Sequence, residues 1–92
     1  MKVTLRFFAR FGELLGKSMD IEGKEGMSVA GLVKQAASGN TAGYDAIFAE
    51  TGAFRDFVIV MRNKKRIRLQ DADSVQIEEG DDIAVFPPVA GG

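Results

Sequence analysis

A single stretch of this chain carries a long helical apolar stripe, and the rest of the fold has to accommodate it. Val29, Leu32, Val33 and Ala36 fall at helical spacing behind Ser28, a residue type whose side chain caps a helix start, and the pattern runs out near Gly39. Gly31 inside the stripe costs about 1 kcal/mol relative to Ala, so it marks either a close-packing site or a weak point. One helix with one apolar face needs a sheet to lie on. The strand signals supply it: Val3, Leu5 and Phe7 alternate with Thr4, Arg6 and Phe8, and Met19 and Ile21 alternate with Asp20 and Glu22. Between these two strands, Phe11, Leu14 and Leu15 mark a short helix that Gly16 stops in a left-handed conformation. Phe57 to Met61 is a run of five apolar residues, the pattern of a strand covered on both faces.

The remaining segments complete the order. Asn40 to Asp56 is polar and glycine-spotted, with Tyr44, Ile47 and Phe48 marking a short second helix and Phe54 a lone anchor. Arg62 to Lys65 reads as a tight turn, after which Ile67 and Leu69 alternate with Arg66 and Arg68. Asp71 to Asp73 turns, Val75 and Ile77 begin a short segment, Glu79 to Asp81 turns again, and Ile83 to Phe86 forms the last strand. Strand, strand, helix, strand, short strand, strand is an α+β order. It is met by a ubiquitin-like β-grasp: a mixed sheet with one main helix on one face and the last strand in mid-sheet beside the first. Residues 1–86 are expected to form this domain, and 87–92 an extended, flexible C-terminal tail.

The tail carries the chemistry. Pro87 and Pro88 fix φ and remove two backbone donors, so they end the strand before them and send the chain outward. The four residues Val89, Ala90, Gly91 and Gly92, extended, reach about 13–14 Å, enough to enter a partner's active site while the domain stays outside. Gly91 and Gly92 lack a Cβ and pass a channel too narrow for side chains. A carboxylate on Gly92, ionised at neutral pH, can attack the α-phosphorus of ATP to give an acyl-adenylate, which is open to sulfur or an amine. A frayed end is the plainer alternative, since the last residues of most domains are poorly ordered.

Composition excludes other functions. Cysteine and histidine are both absent, which removes disulfides, thiolate nucleophiles, imidazole bases and the usual transition-metal ligands, so the chain is expected not to be an enzyme in its own right. No glycine-rich phosphate loop opens a helix, so ATP and Mg²⁺ are expected on a partner and no cofactor or metal on this chain. A net charge of −1 gives no general attraction to nucleic acid or anionic lipid, and no apolar run approaches the length that crosses a bilayer. The N-terminus lacks a signal peptide's continuous apolar stretch, so the expected location is the cytoplasm.

Phe7-Phe8-Ala9 with Glu13-Leu14-Leu15-Gly16, then Gly80-Asp81-Asp82-Ile83-Ala84-Val85-Phe86, then Pro-Pro-Val-Ala-Gly-Gly: along nearly its whole length the chain resembles the MoaD/ThiS family of ubiquitin-like sulfur carriers. Ile59 to Asn63 and the long insertion before it look most like the archaeal small ubiquitin-like modifiers of that family. The resemblance implies that an E1-like enzyme adenylates Gly92, and that the adenylate is converted to a thiocarboxylate or passed to a lysine. In the molybdopterin pathway such a carrier inserts its tail into the synthase large subunit and gives up sulfur. In the modifier pathway the same terminus forms an isopeptide bond with target-protein lysines, and here Lys2, Lys17, Lys24, Lys34, Lys64 and Lys65 are candidate acceptors on the chain itself.

Partner contacts carry over to Phe8 and Phe86, which match aromatic positions that family members present to partners, and to Pro87, Pro88, Val89 and Ala90. The alternative is that the two phenylalanines are ordinary packing residues of the second sheet face. Where bacterial carriers place an apolar residue after the central strand, this chain has Lys64-Lys65-Arg66. With Arg68 this cluster, and Arg66 within it, could read an acidic partner surface or simply be a solvated turn; RNA is a poorer fit, because four charges without interleaved aromatics make a weak nucleic-acid footprint. Glu78, Glu79, Asp81 and Asp82 fit no metal loop and read as a solvated turn. A third function, different in class, stays open: a non-covalent binding module whose sheet face matters and whose tail is passive.

Overall fold

The computed structural model describes residues 1–88. Its elements run β1 (Lys2–Phe7), α1 (Ala9–Leu15), β2 (Ser18–Glu22), α2 (Val29–Ala37), α3 (Thr41–Ile47), β3 (Ile59–Arg62), β4 (Lys65–Ile67), a 3₁₀ turn (Leu69–Asp71) and β5 (Asp82–Phe86). The five strands form one mixed sheet in the order β2-β1-β5-β3-β4. β5 lies between β1, to which it is parallel, and β3, to which it is antiparallel. The last strand therefore sits in mid-sheet beside the first, as the β-grasp pattern requires. Val75 to Ile77 forms no named strand; Gln76 makes a single bridge to Ser28.

The helical stripe lands where its periodicity puts it. Val29, Leu32 and Val33 are fully buried against Val3, Leu5 and Phe7 of β1 and Ile83 and Val85 of β5, and each such burial stabilises by about 1.5–3 kcal/mol. Ser28 caps α2 by accepting a hydrogen bond from the Gly31 N–H at 3.0 Å, and Asn40 caps α3 by accepting from Gly43 at 2.8 Å. Phe48 and Phe54 pack with ring centroids 4.7 Å apart and their planes tilted by 35°, which fastens the 49–54 loop to the core. At Gly31 a Cβ would meet only side-chain atoms, the nearest being Ser28 Oγ at 3.3 Å, so that glycine is no tight backbone contact.

Two readings change. The run Phe57 to Met61 is not a strand covered on both faces: β3 begins at Ile59, Phe57 is 76 % exposed with a left-handed φ of 69°, and Ile59 and Met61 are only half-buried. Inner and outer residues alternate, so Val58 and Val60 alone reach the core. The acidic turn is not uniformly solvated either. Asp81 is buried, and its carboxylate accepts hydrogen bonds from Arg62 Nε, Asn63 Nδ2 and the Glu78 N–H at 2.9, 2.9 and 2.8 Å.

Candidate functional site

The sheet face opposite α2 is where the residues singled out in the sequence converge. The β1–β5 and β5–β3 registers place Arg6 beside Ala84, Ala84 beside Met61, and Phe86 beside Ile59 on that face. Phe8 extends the same row, because its N–H still donates to Val85 O at 3.1 Å before Ala9, at φ 51°, turns the chain into α1. The Phe8 and Phe86 rings stack at 4.3 Å with 11° between their planes. Together with Ala9, Ile59, Met61, Pro87 and Pro88 they line an open apolar groove of about 400 Å³. Phe8 is 38 % exposed, Phe86 half-buried. Each ring packs on the other and still presents a face to solvent, so the packing and docking readings of these residues are compatible.

A second depression opens from the first. Phe57, Ile59, Arg66 and Pro88 line it, so Arg66 stands at the groove's rim beside the root of the tail. Towards β1 a third, smaller depression joins Phe8, Met61, Ala84 and Phe86 to Arg6, Lys64 and Asp82. Arg6 is paired with Asp82 at 3.0 Å, whereas Lys64 and Arg66 form no salt bridge with a carboxylate among the described residues. Of the tail, Pro87 is half-buried and Pro88 exposed; Val89, Ala90, Gly91 and Gly92 lie outside the described residues.

Sequence reasoning missed Ile59, Met61 and Phe57 as members of this face. The signal was present in the alternation of the 57–61 run, whose odd-numbered residues point away from Val58 and Val60. Below the face, Asp81 ties the β3–β4 turn to the start of β5. Burial, the largest single influence on its carboxyl, pushes its pKa up, but the hydrogen bonds from Asn63, Arg62 and the Glu78 N–H, with the Arg62 charge, outweigh it and hold the group below its ordinary value of 3.8. Arg62 is shifted up in return, chiefly by its bond to Asp81. That carboxylate is thus engaged in structure, and among the described residues no cluster of three or more Asp or Glu side chains is arranged to hold a metal ion. No described helix is long and apolar enough to cross a membrane.

A family model described as the ThiS family matches residues 5–92. The chain belongs to the ThiS family. Among relatives, small archaeal modifier protein 3 of Haloferax volcanii is 30 % identical over 92 residues, covering 100 % of both chains. The molybdopterin synthase sulfur carrier subunit of Aedes aegypti is 31 % identical over 98 residues, covering 100 % of this chain and 90 % of that one. In fold, the crystal structure of SAMP1 from Haloferax volcanii superposes with a TM-score of 0.85 over 100 % of both chains at 24 % sequence identity. This ThiS-family chain is therefore a ubiquitin-like β-grasp protein of the sulfur-carrier and archaeal-modifier type, a family of carrier and modifier proteins that are generally not enzymes.

Proposed function

We propose that this chain is a sulfur carrier whose Gly92 carboxylate is adenylated by an E1-like enzyme and converted to a thiocarboxylate, which donates sulfur in molybdopterin cofactor biosynthesis. The observation that supports it most is the continuity of the groove with the tail. Pro87 and Pro88 form one end of the same apolar wall as Phe8, Phe86, Ile59 and Met61, so a partner seated on the face has the tail's first residues in hand. The activating partner brings ATP and Mg²⁺. A carboxylate oxygen of Gly92 attacks the α-phosphorus, pyrophosphate leaves, and a sulfur nucleophile then displaces AMP from the carbonyl carbon. The synthase large subunit is the partner in the final transfer. Exposed aromatics at the centre of such a face act as interface anchors, which assigns Phe8 and Phe86 to docking.

A second reading shares the same terminus: conjugation of Gly92 to lysines of target proteins. The full-length match to a small archaeal modifier protein favours it. Intact mass of the protein from its native host separates the two. An increment equal to exchanging one oxygen for sulfur at Gly92 supports carrying; branched peptides with a Gly92-derived remnant on foreign lysines support conjugation. A terminus that no ATP-dependent enzyme acts on overturns both and leaves the face as a non-covalent binding module.

A further inference from the structure

Two of the four non-glycine residues held at left-handed φ among the described residues, Phe57 at 69° and Lys64 at 69°, stand at the edge of the apolar face, and neither position needs its side chain for the core. Phe57 is the extreme case: a large aromatic, 76 % exposed, in a backbone conformation that costs a bulky residue about 1–2 kcal/mol. The turns require the backbone conformation but not a bulky side chain in it, and such strain concentrates where a ligand is held. Arg66, which lines the same depression as Phe57, and Lys64, which lines the neighbouring one, lack carboxylate partners among the described residues. The one carboxylate lining these three depressions, Asp82, is already taken by Arg6.

We propose that Phe57, Arg66 and Lys64 form a recognition rim for an acidic amphipathic helix of a partner protein, whose apolar stripe lies over Ile59, Met61 and Phe86 and whose flanking carboxylates meet the two cations. Charge complementarity sets the sign of the partner. Backbone economy sets its secondary structure: β1, β5 and β3 beneath the face are each paired on both sides, so an extended peptide laid here gains no ladder hydrogen bonds, whereas a helix arrives with its own satisfied. The inference deepens the carrier reading by naming the partner's chemistry; it rests on this face being the docking side and not on what happens at Gly92.

The test uses the full chain and a synthetic helical peptide about 18 residues long, with Leu at i, i+3, i+4 and i+7 and Glu on both flanks. A matched peptide carries Lys in place of Glu. Amide shifts in a titration are expected at Phe57, Ile59, Met61, Lys64 and Arg66 with the Glu peptide and not with the Lys peptide. Phe57→Gly is expected to raise the dissociation constant about tenfold while leaving the melting temperature unchanged or higher, because glycine relieves the φ and little burial is lost. Arg66→Glu should weaken the Glu peptide and recover binding of the Lys peptide. Equal binding of both peptides, shifts confined to another surface, self-association of the chain through this face, or preference for an oligonucleotide over the Glu peptide each overturn the proposal. Adenylation of Gly92 in host extract without peptide binding sinks this inference alone; peptide binding without adenylation sinks the terminal chemistry alone.

Discussion

Asp81 shows how one side chain can set the position of two elements. It accepts from Arg62 and Asn63 on one side and from the Glu78 N–H on the other, while Asn63 returns a bond by accepting from the Asp82 N–H at 2.9 Å, so the β3–β4 turn cannot slide against β5. Removing its charge leaves Arg62 without its buried partner, and Asp81→Asn is expected to lower stability at pH 7 by about 2 kcal/mol in chemical denaturation. The folded-state pKa lies below the ordinary 3.8, so this contribution is fully present above about pH 4 and fades as pH falls through the lower folded value. The wild type should therefore lose more stability than Asp81→Asn on going below about pH 4; parallel curves would show that the carboxylate is not the group responsible. Its role was not legible in the sequence. Asp81 stands among three other acids, and the partners that bury it are 18 and 19 residues away, beyond the reach of any local pattern. Gly12 is the residue where backbone meets backbone: a Cβ there would stand 2.6 Å from the Phe7 carbonyl oxygen, at the turn from β1 into α1. Gly12→Ala is expected to cost about 1–3 kcal/mol, read as a lowered denaturation midpoint with unchanged slope.

Among the elements, those whose pattern reports a buried stripe were readable, and β3, whose two faces are both apolar, was not. β1 and α2 carry alternating or helical stripes whose members Val3, Leu5, Phe7, Val29, Leu32 and Val33 are buried together with Ile83 and Val85 of β5, and the order of these elements pointed to the grasp topology. In β3 the apolar run misled because both faces are apolar for different reasons: Val58 and Val60 serve the core, while Ile59 and Met61 floor a groove open to solvent. Burial by the chain and burial by something else leave the same residue types behind. The turn after β3 repeats the point. Asn63 and Lys64 have φ of 52° and 69°, the twin positive values of a tight hairpin turn that prefers Asn followed by Gly, and Lys occupies the second place. Lys64→Gly is expected to raise stability by about 1 kcal/mol in thermal or chemical denaturation. A neutral or negative change would mean that the lysine makes a contact in the fold which offsets its backbone cost.

At the scale of the molecule, the β-grasp brings Pro87 and Pro88, the last described residues, to the end of the open apolar face, where the proposed function needs the tail to begin. Phe86 of β5 stacks on Phe8, which follows β1, and two residues after Phe86 the chain passes through Pro88, so the start of the tail is set by the same strand that carries Phe86. The family was legible in the sequence, its closing residues included, because prolines, small residues and glycines act through their backbone and need no tertiary context, while Val89 to Gly92 themselves lie outside the described residues. Separation of face and end gives a clean experiment on the proposed activation. Phe86→Ala should weaken binding to the activating partner by more than about 1 kcal/mol, seen as a raised apparent KM in ATP–pyrophosphate exchange with little change in turnover at saturation. Two glycines inserted between Pro88 and Val89 should do the reverse. They leave the face intact and lengthen the reach by about 7 Å, so affinity holds while turnover falls at least about a hundredfold, since misplacement of a reacting group by even about 1 Å can cost that much. Were the lengthened chain adenylated at the normal rate, the distance from the face to Gly92 would not govern the reaction, and the domain would serve recognition alone.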